Sequence, residues 1–199
     1  MRAYTQSLES LIHRLMKFPG VGRRSAERIV NYILNTSGQE VKSLTDAIVQ
    51  AKHRVKLCTV CNTLTEDEVC SICQDPKRKK EMVCVVEEPK DVLSIEKTGT
   101  FDGCYHVLMG SISPLEGRGP DDLKIKELLT RIEQHGIKEV IIATDSDTEG
   151  ETTAMYLTKM IKPFGVKVMR IGVGIPVGSN LDYIDPTTIS IAIESRREI

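Results

Sequence analysis

Apolar positions in the first fifty residues recur with helical spacing. Leu8, Leu11, Ile12, Leu15 and Met16 fall at i, i+3, i+4, i+7 and i+8, which predicts an amphipathic helix stopped by Pro19 and Gly20. A second helix is predicted from near Ser25, with Ala26, Ile29, Val30, Ile33 and Leu34 on the same spacing. A third is predicted from Ser43, capped by its hydroxyl with Asp46 three residues on, and with Leu44, Ala47, Ile48, Ala51 and Val55 as its buried stripe. From Glu81 the pattern changes. Short apolar runs at 82–87, 105–109, 139–144 and 166–171 predict strands, and helical segments separate them. The first of these helices opens at Pro89 and closes at Gly99. The second starts about Asp121 with Ile125, Leu128, Leu129 and Ile132 in register and Gly136 past its end, and the third carries Ala154, Leu157 and Ile161. This βαβαβαβ order, with its continuous apolar runs, predicts a mostly parallel sheet covered on both faces and joined by right-handed crossovers. Residues 181–199 read as an extended LDYID followed by a helix ending in Arg196 and Arg197.

The expected class is therefore α/β with an N-terminal all-α module. Its divisions are a helix-hairpin-helix at 1–55, a small cysteine knuckle and basic linker at 56–80, the α/β domain at 81–176, and a strand-helix tail at 177–199. Apolar content of 40% and charged content of 28% match a soluble globular protein. No apolar run approaches a membrane span, and the start has no signal-peptide core. The net charge of -1 conceals an asymmetry: residues 1–80 carry 14 Lys+Arg against 8 Asp+Glu (+6), and residues 81–199 carry 13 against 20 (-7). A basic module joined to an acidic one points to a polyanion partner for the first half and a cation or basic partner for the second.

Three stretches carry candidate chemistry. Cys58, Cys61, Cys70 and Cys73 form two C-x-x-C pairs, and four thiolates close the tetrahedral shell of structural zinc; free thiols or two disulfides are the competing reading. With four of six cysteines so spaced, a reducing cytosol is the expected home. In FPGVGRRSAERI, Gly20 and Gly22 allow a tight turn that leaves amides at the start of the second helix for a phosphate oxygen. Lys17, Arg23, Arg24 and Arg28 supply the cationic part, although a plain helical hairpin with a solvated basic face would share the pattern. The run PKRKK at 76–80 is expected to be a solvated linker or an extension of that basic surface. Beyond the strand ends lie two acidic clusters: Glu87, Glu88 and Asp91, then Asp145, Asp147, Glu149 and Glu151. Carboxylates two apart can share Mg2+, or can merely cap loops and helix starts. No phosphate-loop or nucleophile-elbow pattern occurs, and the four histidines have no ligand spacing.

Taken in this order, FPGVGRRSAERI, the four-cysteine knuckle, VVEEPKDVLSIEKTG and the tail GIPVGSNLDYIDPTTI resemble the bacterial RecR family over essentially the whole chain. The α/β part resembles a Toprim domain. That resemblance implies Glu87 in the acid-base position and Asp145 and Asp147 in the magnesium-holding D-x-D, where the RecR family usually shows Asn-Pro in place of Asp145-Ser146. It further implies a cytoplasmic, nucleoid-associated DNA-binding clamp of recombinational repair that has no enzymatic activity and forms a homo-oligomer, often a tetrameric ring. The implied partners are single- and double-stranded DNA, RecO and RecF, which together load RecA on gapped DNA coated by single-strand binding protein. Glu149 and Glu151 are the expected partner-docking carboxylates. The alternative is a magnesium-dependent enzyme acting on DNA phosphodiesters.

Overall fold

The computed structural model describes residues 4–196, which divide into two compact units between Val55 and Lys56. The first unit holds α1 (Gln6–Leu15), α2 (Arg23–Asn35) and α3 (Gly38–Arg54). Its core is Ile12, Ala26 and Val30, with Leu8, Leu11, Leu15 and Val21 packed around them. The predicted stripes are only partly buried. Ile29 and Leu34 of α2 are exposed, and no residue of α3 is buried: Leu44, Ile48 and Val49 are 50%, 60% and 54% accessible. The start of α3 also differs from expectation. The Ser37 hydroxyl accepts the Glu40 N–H at 3.2 Å, so the helix begins about one and a half turns before Ser43. The segment SGQE is itself a Ser-x-x-Glu capping pattern and lies closer to the end of α2.

The second unit opens with a two-stranded hairpin, β1 (Lys56–Leu57) against β2 (Leu64–Thr65), and the short helix α4 (Ser71–Gln74). Then follow β3 (Lys79–Val86), α5 (Pro89–Glu96), β4 (Gly103–Val107), α6 (Ile125–Gln134), β5 (Glu139–Ile142), α7 (Thr148–Ile161) and β6 (Lys167–Arg170). The strands stand in the order β4-β3-β5-β6 and every pairing is parallel, as the βαβ order requires. Alternation along β3 divides the core into two faces. Val83 and Val85 pack with Leu128, Ile132, Leu157 and Ile161 from α6 and α7. Cys84 and Val86 pack with Val92, Tyr105 and Val107, and Ile72 of α4 leans on this second face.

The basic run is not a solvated linker. Arg78 pairs with Glu96 and donates to the carbonyls of Phe101 (3.1 Å) and Gly103 (3.3 Å). Lys79 pairs with Asp102 at 2.7 Å, and Lys80 caps the carbonyls of Cys73 (2.7 Å) and Asp75 (2.8 Å). The strand therefore starts at Lys79, and its cations are spent on the fold. In the tail, 181–183 is a 3-10 turn rather than an extended segment, and α8 (Pro186–Glu194) follows; Arg197 lies outside the described residues. No helix among the described residues is long and apolar enough to cross a membrane.

Where β5 turns into α7, the chain passes close to itself. A Cβ built on Gly150 would lie 2.1 Å from the Asp145 carbonyl oxygen, far inside contact distance, whereas one on Gly172 would meet nothing within 4 Å. Gly150→Ala is expected to lower the urea midpoint by the equivalent of about 1–3 kcal/mol. Gly172→Ala should leave it nearly unchanged.

Candidate functional site

In the first unit the hairpin is fixed by its own backbone. Phe18 N–H donates to the Leu15 carbonyl at 3.0 Å and Val21 N–H to the Phe18 carbonyl at 3.1 Å, and the turn closes because Gly20 takes φ +76°. Gly22, extended at φ -79° and ψ 172°, is the N-cap of α2 and has no side chain to satisfy the first-turn N–H groups. Those amides are left for an external acceptor, at the end of the helix where its dipole favours an anion. Of the four cations predicted beside it, Arg23 is already engaged. Its guanidinium binds Glu9 at 2.9 Å and Glu27 at 3.0 Å, and Glu9 above all raises its pKa. Lys17, Arg24 and Arg28 are exposed, and none has an ion-pair partner among the described residues. They are the cations with charge to offer.

In the second unit the two C-x-x-C loops bring four sulfurs together. The Sγ atoms of Cys58, Cys61, Cys70 and Cys73 all lie within 4.8 Å of one another, with Cys61 and Cys70 at 3.6 Å. A tetrahedral ion with Zn–S bonds of about 2.3 Å places its sulfurs ~3.8 Å apart, so the donor set fits zinc. Backbone amides point at the sulfurs: Cys70 N–H at Cys58 Sγ (3.3 Å) and Cys73 N–H at Cys70 Sγ (3.5 Å). Such donors stabilise thiolates and orient them, as the surroundings of a metal site should. Asn62, at φ 61°, turns the first loop, and the Cys61 carbonyl accepts the Val107 N–H at 2.8 Å. The shell is complete with four protein ligands, which makes the zinc structural and leaves no open coordination position.

The acidic residues gather where strands end. Glu87, which directly follows β3, is only 9% accessible, and its Oε1 accepts the Asp145 N–H at 3.0 Å. Burial raises its carboxyl pKa, and the charges of Asp145, Asp147 and Asp91 push it the same way. Asp147 caps α7 by accepting the Gly150 N–H at 2.7 Å. Glu88 and Asp91 form the capping box of α5. Glu149 accepts from the Ser113 hydroxyl at 2.5 Å and from that of Ser111 at 3.5 Å. Glu151 binds Arg170 at 2.6 Å. Among the described residues the four cysteines form a convergent metal-ligand group, and Glu87, Asp145 and Asp147 do not close to that degree. Their free oxygens can still hold a hydrated cation such as magnesium, which keeps several waters when bound.

Three participants were missed by sequence reading. Arg170 donates to the carbonyls of Ile142 (3.1 Å), Thr144 (2.8 Å) and Asp145 (3.1 Å) besides Glu151, so it braces the whole acidic loop from β6. The only signal in the sequence was a lone cation at the end of an apolar strand. Ser111 and Ser113, in a loop rich in Gly and Pro, gave none.

Comparison with known families assigns each stretch. Residues 8–52 match the RecR helix-hairpin-helix and residues 55–75 the four-cysteine zinc finger domain of RecR. Residues 81–172 match the Toprim domain, and residues 174–197 the RecR C-terminal region.

Two outcomes are expected of these sites. Metal analysis of the purified chain should find one zinc per chain. Cys70→Ser should abolish that stoichiometry and release the Val107 amide to hydrogen exchange. Glu87→Gln keeps an oxygen for the Asp145 N–H but removes a buried, repelled charge. A carboxyl whose folded pKa is raised loses stability as pH rises through that value. Thermal melts should therefore show Glu87→Gln more stable than wild type at neutral pH, with the gap closing as the pH falls below the ordinary carboxylate range.

Proposed function

We propose that this chain, which belongs to the RecR family, grips the DNA backbone with its helix-hairpin-helix and acts as a DNA-binding clamp in recombinational repair. Its RecR domains support the repair role, and the zinc finger is a structural part of it. The observation that carries the DNA reading is the coincidence of three features at one turn. The uncapped N-terminus of α2 and the left-handed Gly20 lie there with Lys17, and Arg24 and Arg28 follow in the first two turns of α2, all three cations unpaired among the described residues. Amides and cations of this kind bind phosphate oxygens without reading bases, so the contact is with backbone and independent of sequence. Arg23 acts at one remove, since its two carboxylates hold it across α1 and α2.

Within that role, RecO and RecF are the partners, and the product is RecA loaded on gapped DNA coated by single-strand binding protein. Glu149 and Glu151 belong to the acidic surface we assign to a basic partner. Subunit association as a homo-oligomer, a tetramer by family resemblance, is supported by α3, whose apolar residues find no cover among the described residues. The Toprim acid residues bind and position; we assign them no turnover. The clamp works in the cytoplasm, at the nucleoid.

Binding to a gapped duplex should weaken steeply with salt through counterion release. Each cation that neutralises a phosphate adds about one to the slope of log affinity against log salt. Lys17→Ala, Arg24→Ala and Arg28→Ala should each lower that slope by about one. Arg23→Ala should lower it less, because its charge is already balanced. A triple variant with unchanged affinity and slope, measured by fluorescence anisotropy, would place the DNA surface elsewhere.

A further inference from the structure

The hairpin carries one feature that phosphate binding does not use. Phe18 sits at the head of the turn and is 59% accessible, one of several exposed apolar residues of this unit and the one placed on the hairpin turn itself. Its neighbours in the hairpin behave differently: Leu15 and Val21 pack on the core of Ile12, Ala26 and Val30. The ring is presented by a backbone with little freedom. Phe18 donates from its N–H to Leu15 and accepts at its carbonyl from Val21, Pro19 follows with its fixed φ, and Gly20 completes the turn. Met16, also exposed, precedes it by two residues, and the unpaired Lys17 lies between them.

We infer that Phe18 is a base-stacking platform, and that the ligand class of this hairpin is DNA with unstacked bases: a single strand or the edge of a gap. Single-strand binders combine a cationic track for the backbone with aromatic faces on which bases stack. Here both lie at the hairpin, with Lys17 and the aromatic Phe18 at the turn and Arg24 and Arg28 in the first two turns of α2. A base in an intact duplex already has stacking partners on both faces, so the ring gains most where a partner is missing. An aromatic ring also suits this work, since its two side-chain torsions cost little entropy when the base arrives.

This rests on the DNA-binding reading, and the test separates the two. The full-length, zinc-loaded chain is titrated with a single strand carrying 2-aminopurine, with a gapped duplex, and with an intact duplex of the same length. Phe18→Ala should weaken single-strand binding about ten- to a hundredfold, the range set by one stacked base. That loss should exceed the loss on the intact duplex, and the 2-aminopurine signal change should disappear. Phe18→Trp should keep the affinity. Because the chain contains no tryptophan, its emission becomes a single reporter that the strand should quench. Equal losses on single strand and duplex, or no loss on either, would overturn the stacking role while leaving the phosphate grip intact. A change in solution mass for Phe18→Ala would overturn it too, by showing the ring to be a contact between copies of the chain. Absence of DNA binding by the wild type would remove both readings.

Discussion

The second unit depends on the closure of four thiolates around one ion. Between Lys56 and Gln74 the chain has only a hairpin of two two-residue strands and a single turn of helix, and its buried apolar matter is largely the cysteines themselves. Such a segment cannot offset its own ordering entropy by burial. Structural zinc contributes roughly 10–16 kcal/mol to a knuckle of this kind, as much as the whole net stability of a typical domain. The consequence reaches the sheet. β4 is an edge strand, and the Cys61 carbonyl on the Val107 N–H, with Ile72 packed on the adjoining face, covers what would otherwise be an open edge. Metal, knuckle and edge strand therefore form one cooperative block.

The same economy governs charge. A count of lysines and arginines in the first eighty residues suggests a broad basic surface. The structure divides those cations by task. Arg78, Lys79 and Lys80 hold the start of β3 to its surroundings, and Arg23 joins α1 to α2 through Glu9 and Glu27. Among the cations that remain, Lys17, Arg24 and Arg28 stand at the hairpin, where unsatisfied amides add to them. Arg170 does the complementary thing in the acidic unit. By occupying three carbonyls and Glu151, it holds the loop between β5 and α7 in a shape that the carboxylates alone would push apart.

Periodicity made the order of elements legible, because apolar spacing reports which face of an element is buried. It does not report what buries it. Ile29, Leu44 and Ile48 have the spacing of a core and lie exposed, with nothing among the described residues covering them. The start of α3 was missed where two Ser-x-x-acid patterns stood six residues apart, and local sequence cannot rank them without the end of α2. The zinc ligands were readable because four thiols at that spacing have few alternatives. The acidic site was readable as a neighbourhood and not as a geometry. Two-residue spacing brought Asp145 and Asp147 together, but Asp147 turned to cap a helix and Glu87 to accept an amide.

That last difference bears on what the Toprim fold supplies here. A carboxylate buried beside three others is unfavourable unless something compensates it, and Glu87 has one amide to set against burial and those like charges. A site built only for stability would put an apolar residue or an amide at this position. A pre-formed concentration of negative charge, braced by Arg170 and by the capped end of α7, is instead what a cation or a basic surface would find. A bound cation lowers the Glu87 pKa, and the same coupling makes occupancy pH-dependent, weaker as acid protonates the group. In the proposed reading, a cation or basic partner at this site would offset the like-charge repulsion on Glu87 and so couple the acidic unit to what it binds.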